Sequence, residues 1–332
     1  MSTEGGTRAV IAAMVANGGI AVTKFLAFAA TGSSSMLSEA IHSVADTCNQ
    51  GLLLLGGKRA RRTPDRMHQF GYGRTRYVYS FMVAIIIFLL GGLFSLYEGW
   101  HKFHFPEPLS KVWIAYAVLL VSIGLESYSF TTALRESNKS RGSRSLWRYI
   151  RDARQPELPV VLLEDTGALV GLVFALFGVT MAELTGDPRW DGVGAMAIGV
   201  LLVIIAVFLA FEMASMLVGE SALPEEESAI AAAVRQQPGI DSIIHMRTLH
   251  TGPDELLVGV KVAVAPSLTS AEVAGIIDGA EERLRAAVPT ARWVYVEPDI
   301  HRADAAPPGA DAAPPAPQQP APQPPGAGGS VP

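Results

Sequence analysis

The chain has 332 residues, of which 49% are hydrophobic and 17% charged, with a formal net charge of −5 and a mean hydropathy of +0.30. Soluble proteins carry about a quarter charged residues, so this composition indicates a membrane protein. A single cysteine, Cys48, excludes an internal disulfide framework.

Six stretches are long and apolar enough to cross a bilayer, which takes about 20 mostly apolar residues per helix. The first is interpreted as a span and not as a signal peptide, because it lacks a compact basic start and a clean cleavage site, and Asn17 and Lys24 interrupt it. The predicted spans are 8–31, 34–57, 76–100, 112–134, 158–183 and 192–217.

Basic loops orient these spans. Residues 58–76 and 135–154 carry seven Lys or Arg each, whereas the alternate connections carry three in total. The positive-inside rule therefore predicts that both rich loops and both termini face the cytoplasm. We interpret the basic runs as topology and lipid contact and not as nucleic-acid binding. Because no transit-like amphipathic segment precedes the first span, we expect a multi-pass protein of the plasma membrane.

The composition changes after Val218, which ends a predicted membrane domain over 1–218. Pro224 and three acids begin a helix, two β-rich runs follow around the turn TGPD, and a second helix and a last strand complete the order α-β-β-α-β. A small two-layer α+β domain is thus predicted over 219–302. The Pro/Ala-rich segment 303–332 is expected to be disordered.

Span 2 is unusually polar, with the sequence SEAIHSVADTCNQ at Ser38 to Gln50. On a helix, Glu39, His42, Asp46 and Asn49 share one stripe. Because His42 and Asp46 are one turn apart, with about 6 Å between their β-carbons, an imidazole nitrogen and a carboxylate oxygen can reach the same cation. Ionisable groups inside a membrane are costly and usually face a bundle interior or a cavity.

A second acidic pair, Glu164 and Asp165, begins span 5. At 1.5 Å per residue, Asp46 lies about 18 Å from the outer end of its span and Asp165 about 10 Å from the inner end of its own, so the two depths nearly coincide across a core of about 30 Å. A shared metal site is one interpretation, and hydrogen bonds between helices are the other. Internal ion pairing is the expectation for the other acidic and basic groups in the spans, Lys24, Glu98 and Glu126.

These motifs resemble those of a known family. Six spans with cytoplasmic ends, EAIHSVADTCNQ, the loop DRMHQFGYGR and the C-terminal domain are similar to the cation diffusion facilitator transporters over about residues 8–300. LLED in span 5 and YVEPD near the end resemble the branch that includes the mitochondrial zinc exporter. The resemblance implies a homodimer with one tetrahedral divalent-cation site per protomer between spans 2 and 5, export coupled to inward proton movement, and a ferredoxin-like cytoplasmic domain that helps dimerisation.

Carried over by position, the resemblance assigns His42, Asp46 and Asp165 as metal ligands. The fourth family ligand, commonly His, is Val161 here, so water, Glu164 or Asn49 would complete the shell. Such a set suits Zn²⁺ but selects less strongly against Mn²⁺, Co²⁺ or Fe²⁺.

Two further metal sites occur in some relatives. In the loop, Asp65 and His68 match two ligands of a peripheral site, but the third position is Tyr72. In the C-terminal domain, the usual His is Tyr295, and three histidines remain outside the usual pattern, so we expect dimerisation there and not metal binding. These histidines are His245, His250 and His301.

The chemistry indicates a secondary transporter. Metal affinity requires deprotonated ligands, so protons and metal compete for one site, and a histidine titrates in the useful range. Alternating exposure of such a site gives antiport without a nucleotide motor, and no GxxxxGK[ST] loop is present. We expect no enzyme activity and no resident cofactor. A metal sensor or adaptor without transport is the first alternative, and an intramembrane metalloenzyme, which lacks an HExxH motif, the second.

Overall fold

The computed structural model describes residues 3–142 and 144–300, with the backbone alone for 3–16 and 140. The predicted disordered tail and His301 lie outside the described residues. The helices of the N-terminal part are α1 (Thr3–Thr31), α2 (Ser34–Ala60), α3 (Thr75–Ile86), α4 (Phe94–His104), α5 (Val112–Arg141), α6 (Leu146–Asp152), α7 (Glu157–Thr185) and α8 (Arg189–Val218).

Five of the six predicted spans each lie within one helix. The span 76–100 runs from α3 into α4, which are joined end to end. Within the described part of the chain, four helices are long and apolar enough to cross a membrane. They are Thr75–His104, Val112–Lys139, Glu157–Thr185 and Arg189–Val218. A helical transmembrane domain is therefore confirmed. The count of six spans stays a prediction, because α2 carries the polar stripe and the side chains of α1 are described only from residue 17.

A π-helical turn, Ile87–Leu93, joins α3 to α4 and contacts α8. A β-carbon on Gly91 would lie 2.9 Å from Leu202 Cδ1, and one on Gly92 would lie 2.7 Å from Val203 Cγ2. The two glycines therefore allow a closer approach of these helices than larger residues would permit.

Small residues also bring α7 and α8 together. A β-carbon on Gly178 or on Gly194 would come within 3.2 Å of the Cα of the other. Leu172 of α7 and Ile198 of α8 are fully buried in the apolar core around this contact. Close packing of this kind is what holds helices together in lipid, where apolar side chains gain little from leaving the solvent. The second acidic pair is thus carried on a firmly packed helix.

The first turn of α2 is fixed by a carboxylate from α8. Asp191 is fully buried, and its Oδ2 accepts a hydrogen bond from the Ser34 backbone N–H at 2.6 Å, while its Oδ1 accepts from Ser33 Oγ at 2.7 Å. Ser34 Oγ in turn donates to Glu98 Oε1 of α4 at 2.8 Å. Since a helix N-terminus favours negative charge, this contact is stabilising, and it sets the rotation of the polar stripe of α2.

The C-terminal domain has the predicted order of elements: α9 (Pro224–Arg235), β1 (Ile240–Gly252), β2 (Glu255–Val264), α10 (Ser270–Ala287) and β3 (Ala291–Asp299). The sheet order is β1-β2-β3, with β1 and β2 antiparallel and β2 and β3 parallel. Proline begins α9, and a capping box of Thr269 and Glu272 begins α10. Buried valines of β2 pack against both helices and form a separate core.

The β1–β2 hairpin rests on the start of α3 and the start of α7. Arg76 is paired with Asp254 of the hairpin at 2.8 Å and with Glu157 of α7. Gly73 lies against Gly252 so closely that a β-carbon on Gly252 would be 2.8 Å from Gly73 Cα. The hairpin tip is therefore seated on the starts of α3 and α7, and α7 carries the second acidic pair.

Candidate metal site

The polar stripe of α2 faces the inside of the helical domain, as the sequence predicts. Glu39 and Asn49 are fully buried, His42 is 1% exposed and Asp46 8% exposed. Such burial is expected only where polar groups have partners or a ligand, because unpaired polar atoms away from water cost about 1–3 kcal/mol each. The stripe is therefore either a metal site or a network of structural hydrogen bonds. Polar atoms that already have protein partners indicate a network, and those without partners indicate a site.

His42 and Asp46 form an incompletely satisfied pair. His42 Nδ1 lies 3.6 Å from Asp46 Oδ1, which is too long for a hydrogen bond. Both imidazole nitrogens and Asp46 Oδ1 are buried without a hydrogen-bond partner among the described residues. Two ligand atoms that each lie about 2 Å from a tetrahedral ion are about 3.3 Å apart. The pair thus has nearly the spacing needed to hold one cation between its facing atoms.

The acidic pair of α7 is divided between two neighbours. Glu164 Oε1 accepts a hydrogen bond from Asn49 Nδ2 of α2 at 2.6 Å, and Asp165 Oδ2 accepts from Ser129 Oγ of α5 at 3.0 Å. Asn49 Oδ1 remains without a partner among described residues. Glu164 therefore contacts α2, and Asp165 contacts α5.

The structure brings the predicted ligands near one another without closing them into one cluster. The hydrogen bond between Asn49 of α2 and Glu164, the residue next to Asp165, holds α2 and α7 together at this level. Among the described residues, no group of three or more His, Cys, Asp or Glu side chains is close enough to hold a metal ion. The ligand set stays a prediction, with His42 and Asp46 together and Asp165 turned towards Ser129.

Glu39 is used by an ion pair. Lys24 Nζ of α1 lies 2.9 Å from Glu39 Oε2 and donates to Ser43 Oγ at 2.9 Å, with both charged side chains fully buried. This is the internal pairing expected for Lys24. Glu39 is therefore paired through Oε2, while its Oε1, like the facing atoms of His42 and Asp46, is buried without a hydrogen-bond partner among the described residues.

Sequence reasoning missed the role of Ser129, whose hydroxyl orients Asp165. Ser129 follows Glu126 by three residues in α5, and this polar i, i+3 pair in an apolar span was the available signal. Ser129 also lines a cavity of about 1130 Å³ that extends from α2 and α7 to the β1–β2 hairpin and Arg292. Val161, one helical turn before Asp165 on α7, lines the same cavity.

The loop motif forms a compact turn. Asp65 accepts hydrogen bonds from the Tyr72 hydroxyl and from the backbone N–H groups of Met67 and His68, and the rings of His68 and Tyr72 lie 4.4 Å apart. The Tyr72 hydrogen bond, followed by the backbone bonds, lowers the pKa of the Asp65 carboxyl to about 2. Tyr72 and the backbone thus engage the oxygens that a metal at Asp65 and His68 would need, and metal binding there stays a prediction.

The remaining C-terminal histidines lie on the sheet. His250 is buried, and its Nε2 lies 4.0 Å from Glu226 Oε2, while burial and then the charge of Arg154 lower its pKa. His245 of β1 pairs in register with Lys261, and Tyr295 of β3 pairs with Gly259. Within the described part of the domain, they form no metal cluster.

Comparison with known proteins gives two family matches. The sequence model of the cation efflux transmembrane domain matches residues 10–218, and that of the cation efflux protein cytoplasmic domain matches residues 222–299. The second domain is also similar to a solved nickel form of the MamM C-terminal domain, at 16% identity and a TM-score of 0.23 over 24% of this chain and 100% of that one.

Among curated relatives, the Homo sapiens protein named "Proton-coupled zinc antiporter SLC30A9, mitochondrial" is 34% identical over 75% of this chain and 44% of its own length. "Metal tolerance protein C4" of Arabidopsis thaliana is 29% identical over 74% and 54%, and "Cation-efflux pump FieF" of Pectobacterium atrosepticum is 25% identical over 81% and 85%. The chain thus spans less than half the length of the SLC30A9 relatives.

These relatives correct one expectation. The SLC30A9 proteins of mouse, human, orangutan and frog are all named as mitochondrial. They point to an organellar membrane, so the predicted plasma-membrane location is wrong. That expectation relied on the residues before the first span, and these carry little information about which membrane receives the protein.

Proposed function

The chain belongs to the cation efflux family, the cation diffusion facilitators, and on this premise we propose that it exchanges divalent metal cations, foremost Zn²⁺, for protons. The observation that carries the proposal is the buried His42–Asp46 pair, whose facing atoms lie 3.6 Å apart without hydrogen-bond partners among the described residues. The names of the SLC30A9 relatives support both zinc and proton coupling. We expect six spans and a ferredoxin-like C-terminal domain, the latter supported by its αββαβ order.

His42, Asp46 and Asp165 are the proposed ligands, supplied by α2 and α7. For Asp165 to join the other two, its carboxylate has to leave Ser129, to which it is bonded at 3.0 Å. Val161 stands where the family commonly has a histidine ligand. The amide oxygen of Asn49, which has no hydrogen-bond partner among the described residues, or a carboxylate oxygen of Glu164, which accepts from the Asn49 amide nitrogen, can complete the shell instead. Oxygen ligands in that position broaden the choice of metal beyond Zn²⁺.

Proton coupling follows from the ligand chemistry. Because a cation needs the unprotonated imidazole and the ionised carboxylates, protonation of His42 and Asp46 releases it. Because the C-terminal domain is predicted to face the cytoplasm, a cation enters from the side of that domain. Release at the other side requires the helices to rearrange around a fixed site, as in other secondary transporters.

The family and the cytoplasmic-domain match also support a homodimer. In the proposed arrangement each protomer carries its own site, and the domain over 219–302 contributes to the contact between protomers. The lipid bilayer is the medium of the domain over 1–218, and no nucleic-acid partner is proposed.

The test is flux in proteoliposomes with an imposed pH gradient. Zn²⁺ uptake should depend on the gradient and should be abolished by Asp46→Asn and by Asp165→Asn. Glu183→Gln is the matched control, because this acid lies on α7 but bonds to Tyr116, away from the proposed ligands. Zinc binding without gradient-driven flux in the wild type would favour the sensor or adaptor, and equal loss of flux in the control variant would refute the assignment of the site.

A further inference from the structure

The cavity below the candidate site has two chemically different walls. Leu53, Leu54 and Leu55 of α2 and Val161 of α7 form an apolar wall. Eight of the other lining residues are charged, and they come from the end of α2 and the loop after it, the starts of α3 and α7, and the C-terminal domain. At about 1130 Å³ the space is slightly larger than the 300–1,000 Å³ or so that a typical small-molecule site takes. A ligand that fits both walls must itself be apolar at one end and charged at the other.

Every acidic side chain on the cavity wall already has a basic partner. Arg76 is paired with Glu157 and Asp254, and Arg292 is paired with Glu255. These are the three acids that line the cavity. Each of the three carboxylates thus lies against one of these two arginines, and the five residues together carry a net charge of −1; with the three cations described next, the cavity wall carries +2.

Three further cations line the cavity at the end of α2: Lys58, Arg61 and Arg62. Among the described residues, none of the three has a carboxylate within ion-pair distance, and Arg62 lies only over the Tyr72 ring, at 5.9 Å. Three adjacent charges of one sign repel each other and attract an anion. Arg in particular binds phosphate through paired hydrogen bonds.

We propose that this cavity binds an anionic phospholipid. Its phosphate would contact Lys58, Arg61 and Arg62, and its acyl chain would lie against the leucines of α2. The apolar wall favours a lipid over free phosphate, because a soluble anion leaves that wall exposed to water. The leucines that end the apolar part of α2 are followed, after Gly56 and Gly57, by cations, and this is the level at which lipid headgroups lie.

The binding test uses three probes on the purified full chain: short-chain phosphatidylglycerol, short-chain phosphatidylcholine and inorganic phosphate. Dissociation constants are measured by thermophoresis at low and high salt. Phosphatidylglycerol should bind most tightly and should weaken with salt. The combined variant Lys58→Gln, Arg61→Gln, Arg62→Gln should weaken it about a hundredfold, since each juxtamembrane cation contributes about fivefold.

A control variant removes the same charge from the other basic loop: Arg135→Gln, Arg148→Gln, Arg151→Gln. It should leave phosphatidylglycerol binding unchanged. A second variant, Gly57→Phe, keeps every charge but adds bulk at a cavity-lining position where a new β-carbon meets nothing within 4 Å. It should weaken phosphatidylglycerol binding and so separates the cavity from general surface charge.

Four results would overturn the proposal. Equal binding of phosphatidylcholine would show that charge is not recognised, and equal binding of inorganic phosphate would show a site for free anions. An equal effect of the control variant would show a diffuse basic surface. Unchanged phosphatidylglycerol affinity in the Gly57→Phe variant would show that the cavity itself is not the binding site. Because none of these readouts is flux, the proposed antiport can fail or stand independently of this site.

Discussion

The buried ion pair between Lys24 and Glu39 allows a quantitative test of the fold around the candidate site. Lys24→Met keeps the length and most of the volume of the side chain, so little packing is lost. Glu39 would then remain fully buried without the ammonium group that lies 2.9 Å from it. Removing one partner of a buried pair costs about 3–5 kcal/mol, and we expect this loss in the free energy of unfolding.

Unfolding in mixed micelles titrated with dodecyl sulfate, followed by circular dichroism, measures that loss. The double variant Lys24→Met, Glu39→Gln should recover most of it, because no charge then remains buried without a partner. Lys139→Met is the matched control: its pair with Glu136 is 71% and 47% exposed, so the stability should not change measurably. The reasoning would be refuted if the double variant lost as much free energy of unfolding as Lys24→Met and Glu39→Gln lose together as single variants.

Three other expectations follow from the geometry. Val161→His restores the usual family ligand and should tighten Zn²⁺ binding, measured by calorimetry, by at least about tenfold. Losing an outer-shell partner of a metal already costs about tenfold or more in affinity, and a direct ligand should contribute at least as much. Gly252→Ala should cost about 1–3 kcal/mol through overpacking against Gly73 and should increase proteolysis between the two domains. Tyr72→Phe should raise the pKa of Asp65 from about 2 towards about 3.9, measured by carboxyl-carbon NMR.

Each expectation has an outcome that contradicts it. Unchanged zinc affinity with His at 161 would show that this residue does not face the site, and unchanged proteolysis of the Gly252 variant would show that the hairpin is not seated on Gly73. The depressed pKa of Asp65 stabilises the turn fully above about pH 3.9, and this contribution is lost as the pH falls towards 2. A wild-type loop that holds its shape at pH 2 would show that the carboxylate does not support it.

The helices and strands were predictable because their signals are local. Apolar runs of membrane length indicated the long helices. The C-terminal domain was indicated by Pro224 and the acidic residues after it, by the TGPD turn and by the alternating valines of β2. The stripe of α2 was predictable for the same reason, since i, i+3 and i+7 spacing fixes a shared face. Burial of His42 and Asp46 followed from that face.

Contacts between distant segments could not be predicted. That Asp191 caps α2 from 157 residues away depends on how α8 packs, and no spacing in the sequence encodes it. The partners of Glu164 and Asp165 depend likewise on the rotation of α2 and α5 relative to α7. The estimated depths in the membrane placed these carboxylates at the level of Asp46. Depth does not determine how each helix is rotated about its own axis, and this rotation turns Asp165 towards Ser129.

The π-helical turn at Ile87–Leu93 makes the number of residues in its helix as important as their identity. Such a turn amounts to one residue inserted into an α-helix, and each residue advances an α-helix by about 100°. Deleting a single residue there would leave a regular helix but would turn Glu98 away from Ser34 by about that angle. Relatives without the turn would therefore need a different contact between that helix and the start of α2, and single-residue gaps in an alignment at this point would mark them.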